Sequence, residues 1–225
     1  MSSRFSPCTQ ILPPAQRALW PQMRAAAQLG FVLYGGTAVA LRLGHRQSVD
    51  FDFFIERPLD KLALANALPF AARATVLQDQ PNTWTLLVRP SAQDAVVKVS
   101  FFGTLAFGRF GMPQWTDDGV LLVASLNDLM ATKAKVILQR VEAKDYQDIA
   151  AMLRAGVSLP DGLAIAREMF GGNFQPSESL KAMTWFEGGD LHLVNEVDRQ
   201  ALVQAASSVG KLPVVQRTGT ALAIS

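Results

Sequence analysis

Residues 31–54 read FVLYGGTAVALRLGHRQSVDFDFF, and the order of apolar, glycine and acidic residues within them decides the fold. Residues 31–34 suit a short buried strand. Gly35-Gly36-Thr37 follows as a turn, and residues 37–43 as a helix with Val39, Leu41 and Leu43 available for packing. Gly44 stops that helix, and residues 49–55 form a second strand. Side chains two apart on a strand share a face. Val49, Phe51 and Phe53 are therefore expected toward a core, with Asp50 and Asp52 side by side on the opposite surface. Adjacent carboxylates repel one another and are costly unless a cation sits between them. Gly35 and Gly36 permit a tight turn, so the N–H groups that open the following helix converge on one spot. A phosphate-cradling turn followed by paired carboxylates points to nucleotide chemistry. The turn amides and the Thr37 hydroxyl would hold the β- and γ-phosphates of a nucleoside triphosphate. Asp50 and Asp52 would hold Mg²⁺, which prefers carboxylate and phosphate oxygens.

Upstream, residues 1–13 read as an arm or capping segment, and residues 14–29 as a helix that Pro21 breaks or restarts, stopped by Gly30. Downstream, Pro58 and Asp60 open a helix reaching about Phe70. Strands are expected at 74–78, 83–89 and 95–102, with turns at Pro81-Asn82 and 91–94. Residues 103–119 lack a clean period and read as a loop, followed by a short strand at 120–123. From Ser125 the pattern becomes helical. Ser125 is an N-cap with Asp128 three residues on, an approximate capping box with a shorter acid. Helices follow over about 125–141, 144–155, 161–170, 177–186 and 190–209, and residues after Gly210 read as a tail, extended or lying on a neighbour. The fold class is α+β: a small mixed sheet with flanking helices over residues 1–122, then a helical C-terminal domain over 123–225.

The 225 residues are 49% hydrophobic and 18% charged, enough to build a core. A formal charge of +2 is too weak to diagnose nucleic-acid binding but does not oppose phosphate-bearing partners. Cys8 is the lone cysteine and His45 and His192 the two histidines, which excludes an intramolecular disulfide or cysteine zinc cluster and argues against a zinc enzyme. Prolines interrupt the N-terminal stretch, so a signal peptide is not expected. No run approaches the ~18 apolar residues of a membrane span, so a cytoplasmic protein without a membrane partner is expected.

The stretch YGGTAVALRLGHRQSVDFDFF resembles the signature of the nucleotidyltransferase-like AbiEii/AbiGii toxin family, within the minimal-nucleotidyltransferase, polymerase-β-like superfamily. The hallmark there is a GG or GS turn, a short helix, and a strand bearing DxD. A second block, SLNDLMATKAKVILQRVEAKDYQDIAAML at 125–153, resembles the same family through Asp128, Lys133, Arg140, Lys144, Asp145 and Asp148. The resemblance implies a nucleotidyltransferase-like fold and Mg²⁺-dependent transfer of a nucleoside monophosphate from a nucleoside triphosphate to an RNA or protein acceptor. It also implies a toxin role with an antitoxin partner. On that reading Gly35, Gly36, Thr37, Arg46, Lys133 and Lys144 bind nucleotide, Asp50 and Asp52 bind the metal, and Lys133 and Asp148 join them in catalysis. Lys133 would counter phosphate charge, and Asp148 would support Lys133 or engage the acceptor.

Helical spacing gives that second block a physical logic. Lys133 and Arg140, seven apart, share a face, as do Lys144 and Asp148, four apart. An interhelical salt-bridge network among Arg140, Lys144, Asp145 and Asp148 is the other reading. For His45 and Arg46 the two readings are phosphate or base contact and a favourable helix C-terminus. Trp115, near Asp117 and Asp118 in the irregular stretch, is a further substrate contact to test. Active superfamily members carry a third carboxylate on a later strand. VVKVSFF in the strand at 95–102 places Ser100 there, with Lys98 on the same side. A serine is no general base unaided. This departure favours a non-catalytic nucleotide-binding module as one alternative; a kinase-like phosphotransferase, since some relatives of the fold resemble phosphate-transfer enzymes, and a protein-interaction factor with a vestigial site are the others.

Overall fold

The computed structural model describes residues 3–224. Eight strands form one mixed sheet: β1 (Arg4–Phe5), β2 (Val32–Tyr34), β3 (Asp50–Phe54), β4 (Thr75–Gln80), β5 (Thr83–Val88), β6 (Val97–Phe102), β7 (Gln114–Thr116) and β8 (Leu122–Val123). Their order is β1-β7-β8-β2-β3-β6-β5-β4. The centre is β2–β3–β6, with β3 antiparallel to β2 and parallel to β6. The helices are α1 (Pro14–Leu19), α2 (Arg24–Gln28), α3 (Gly35–Leu43), α4 (Lys61–Ala67), α5 (Leu126–Val136), α6 (Ala143–Arg154), α7 (Leu159–Phe170), α8 (Pro176–Thr184) and α9 (Glu196–Ser207). None of the described helices is long and apolar enough to cross a membrane.

Phe51, Phe53 and Phe101 are fully buried, and Phe53 stacks on Phe101 at 5.3 Å between centroids. These rings fix the face on which β3 and β6 meet the core, so the intervening residues face the other way. One apolar core continues from this sheet into α5, α6 and α7, through Leu129, Ile149 and Leu163 among others. α3 packs against both α5 and α6, which brings the helical half against the end of the sheet where the glycine turn lies.

Local differences from the sequence reading have local causes. The first helix is three short pieces, α1, a 3₁₀ turn at Trp20–Met23 containing Pro21, and α2. α4 ends at Ala67 because Leu68 precedes Pro69 and is extended at φ −107°, ψ 102°. Val49 lies just before β3 and is 55% exposed rather than in the core. The irregular stretch contains β7, which pairs with β1 and β8, so Trp115 is a strand residue towards the far end of the sheet, away from the glycine turn and the aspartates. Ser125 caps α5 by accepting from the Asp128 N–H at 3.1 Å. Asp128 does not complete a capping box. Its carboxylate accepts from the N–H groups of Phe110 and Gly111, both at 3.1 Å, and burial raises its pKa to about 6. The tail folds back onto its own chain. Arg109 N–H donates to Gly219 O at 2.9 Å, and Leu222 is buried while its N–H donates to Glu56 at 3.1 Å.

Candidate active site

The cleft between sheet and helices is about 560 Å³ and is lined by Gly36, Thr37, Arg46, Asp50, Asp52, Lys98, Ser100, Lys133, Arg140 and Lys144, with others. Five cations thus face two carboxylates, a balance suited to a polyanion. A second cleft lies beyond Asp52, floored by Phe54, Phe107 and Phe170 with Lys135 at its rim. The charge is concentrated on the first side.

Gly35, at φ +72°, occupies the left-handed region that glycine tolerates. A Cβ there would lie 2.5 Å from Asp52 Oδ2, so the turn and the carboxylate strand approach as closely as the backbone allows. A Cβ on Gly36 would meet the Arg46 guanidinium and lie 3.3 Å from Asp148 Oδ2. Thr37 lines the cleft, but its buried hydroxyl is engaged within the fold, bonded to the Asp50 carbonyl and, at 2.8 Å, to the Ser48 hydroxyl. It ties the turn to the start of β3.

The parallel register pairs Asp50 with Lys98 and Asp52 with Ser100. Ser100 therefore stands beside Asp52, on the face it shares with Lys98 as strand alternation anticipated, and Lys98 Nζ lies 3.1 Å from Asp50 Oδ2. Asp94 does not line the cleft. Burial pushes the Asp52 carboxyl up, with Lys98 opposing and Asp50 adding to the rise. Asp52 is thus a partly buried carboxylate without a dedicated cation of its own. Two hard oxygen donors on one face fit Mg²⁺, which commonly takes one or two protein carboxylates and completes its shell with phosphate and water. Among the described residues no group of three or more His, Cys, Asp or Glu is placed to hold a metal. Among the described residues, Asp50 and Asp52 are the two carboxylates that line the cleft.

The second constellation lies behind the first. Asp148 is fully buried on α6. It accepts from His45 Nε2 at 2.8 Å, from Arg46 Nε at 2.7 Å and Nη2 at 2.9 Å, and pairs with Lys133 Nζ at 2.6 Å. Burial alone would raise its pKa, but Lys133, His45 and Arg46 outweigh it and hold the carboxyl well below its ordinary value. Lys133 also donates to Asp145 at 2.6 Å, and Arg140 Nε meets the other Asp145 oxygen at 2.7 Å. Burial is again outweighed, by Arg140 and Lys133, so Asp145 is lowered too. Lys144 is half-exposed and pairs with Glu142 at 2.8 Å.

Most of the residues singled out from the sequence thus come together around this cleft, in two layers: Asp50, Asp52, the glycines, Lys133 and Lys144 at its wall, and Asp148 behind; Asp128 and Trp115 lie elsewhere. Arg46 belongs to both, lining the cleft while its guanidinium grips Asp148. The salt-bridge network holds for Arg140 and Asp145, but Lys144 joins Glu142 instead of Asp148. Two contributions escaped the sequence reading. His45 was placed with a ligand or a helix end, and its partner lies 103 residues away. Lys98 was seen to share the Ser100 face, but its pairing with Asp50 depends on strand register.

The fold is shared with two solved structures. A candidate nucleotidyltransferase from H. pylori superposes with a TM-score of 0.58 at 15% identity, covering 86% of this chain and 92% of that one. MenT4, a nucleotidyltransferase toxin from Mycobacterium tuberculosis H37Rv, gives 0.59 at 14% identity, covering 87% and 82%. An uncharacterized protein from Aquifex aeolicus (strain VF5) is 28% identical over 171 residues, 75% of this chain and 79% of its own length. The family model for the nucleotidyl transferase AbiEii toxin of type IV toxin–antitoxin systems matches residues 18–205, both site layers included. On the strength of that match, the chain belongs to the AbiEii nucleotidyltransferase toxin family.

Proposed function

We infer that the protein transfers a nucleoside monophosphate from a nucleoside triphosphate to a hydroxyl of an RNA or protein acceptor, as a toxin held in check by an antitoxin. One observation carries this reading: a glycine turn, two same-face carboxylates and five cations share one cleft. The family assignment and the printed description of MenT4 as a nucleotidyltransferase toxin support it. Asp50 and Asp52 would hold Mg²⁺, which when bound supplies positive charge at the transferring phosphoryl group. The turn N–H groups, Lys133 and the half-exposed Lys144 orient and neutralise the triphosphate. The acceptor oxygen bonds to the α-phosphorus as the bond to the leaving pyrophosphate breaks. The hydroxyl proton passes to water, since Asp50 is open to solvent and already bonded to Lys98. Asp148, with no exposed surface, acts by fixing Lys133 and Arg46.

Incubation with each α-³²P nucleoside triphosphate, Mg²⁺ and either total RNA or total protein tests the proposal. Label should enter one acceptor pool with release of pyrophosphate, and Asp52→Asn should abolish it. Tight nucleotide binding without incorporation, unchanged in that variant, would replace transfer with a binding role. Release of a nucleoside diphosphate would favour a phosphotransferase.

A further inference from the structure

We propose that Lys98 stands in for a second metal ion, so that the cleft takes a single divalent cation; this rests on the transferase reading above. The register sets Lys98 against Asp50 and Ser100 against Asp52, so the β6 edge of the carboxylate pair offers an ammonium and a hydroxyl and no acid. Lys98 Nζ lies 3.1 Å from Asp50 Oδ2, taking up an oxygen that would otherwise bridge two ions. Phosphoryl-transfer sites with two metals hold them ~4 Å apart, and each needs anionic ligands. Here two carboxylates carry two negative charges, and the ammonium returns one of them. A first divalent ion brings the cluster to a net positive charge, and a second would bind against that charge without a carboxylate of its own. Lys98 is a point charge on a flexible stem, half-exposed and lining the cleft. It supplies, beside the ion, the positive charge that a second metal would bring, with no need for a ligand set.

The test counts ions rather than turnover. Mn²⁺ is titrated into the full-length chain and free Mn²⁺ is read by electron paramagnetic resonance. The wild type should bind one ion at the carboxylate pair, and Asp52→Asn should lose it. Lys98→Ala removes the competing ammonium and should bind the ion about tenfold more tightly, while Lys98→Arg, which keeps the charge, should stay within about twofold of the wild type. Lys98→Asp supplies a third carboxylate and should raise the count to two. Two ions on the wild type, or equal or weaker Mn²⁺ binding by Lys98→Ala, would overturn the inference while leaving the transferase reading standing. No wild-type binding that Asp52→Asn abolishes would overturn both.

Discussion

Asp50 and Asp52 on β3 and Asp145 and Asp148 on α6 are two pairs of the same residue beside the same cluster of cations, and their environments drive them in opposite directions. Asp52 is raised by burial. Asp145 and Asp148 are lowered despite burial, because Lys133, Arg140, Arg46 and His45 are bonded to them directly. The β3 pair looks outward on an open cleft and has only Lys98 within ion-pair distance. The α6 pair looks inward and has every oxygen engaged. A carboxylate short of protein partners is ready for an external cation. One saturated with them is committed to holding its neighbours.

That contrast breaks or stands on substitution. Asp52→Asn should reduce transfer about 10³-fold, some 4 kcal/mol of transition-state stabilisation, with no fall in melting temperature, since it removes a buried charge that burial already disfavours. Asp148→Ala should do the converse first. It strands Lys133 and Arg46 and should destabilise the fold by about 3–5 kcal/mol, read from urea unfolding. A melting temperature lowered by Asp52→Asn and untouched by Asp148→Ala would invert the comparison.

The pH dependence sharpens it. Asp148 titrates lower in the folded chain than the ~3.9 of an unfolded aspartate. Its contribution is therefore complete above pH ~4 and is lost as pH falls through the folded value. Asp148→Asn should flatten that acid limb of urea midpoint against pH. Asp128, raised to about 6, has the opposite sign. The stability favoured by its protonated form is present below ~3.9 and lost as pH rises through about 6. Asp128→Asn should remove a decline in midpoint between about pH 4 and 6. Thr37→Val, which deletes the hydroxyl between the turn and β3, should cost about 1 kcal/mol. Lys144→Ala should change stability by less than about 0.5 kcal/mol while weakening nucleotide binding in a filter assay.

The sequence made the local parts of this site legible and left the distant ones hidden. Glycine punctuation and strand alternation placed the turn and the two aspartates on one face, because both are set within a few residues. Helical spacing put Lys133 and Arg140 on one face; α5 ends at Val136 and leaves Arg140 beyond it, yet Asp145 gathers both. The grip of His45 and Arg46 on Asp148 spans more than a hundred residues and arises only when α3 packs on α6. The strands β1 and β7 at one end of the sheet are two and three residues long, too short for a period to register. Lys98 and Ser100 were placed on the right face by alternation, but which aspartate each meets is a matter of register. A shift of two residues would have kept the face and set Ser100 against Asp50, leaving Asp52 opposite Phe102.

The bond from His45 and Arg46 to Asp148 also decides how the cleft behaves mechanically. It runs from the segment just before β3 to α6, so the two walls of the cleft are riveted behind the site before any ligand arrives. Swinging them apart would strip a carboxylate with no exposed surface of its bonds to His45 and Arg46 at once, which the interior does not permit cheaply. The cleft is therefore a mould and not a pair of jaws. Ligands enter through its open mouth, and discrimination among them rests on the shape and charge already set in the walls.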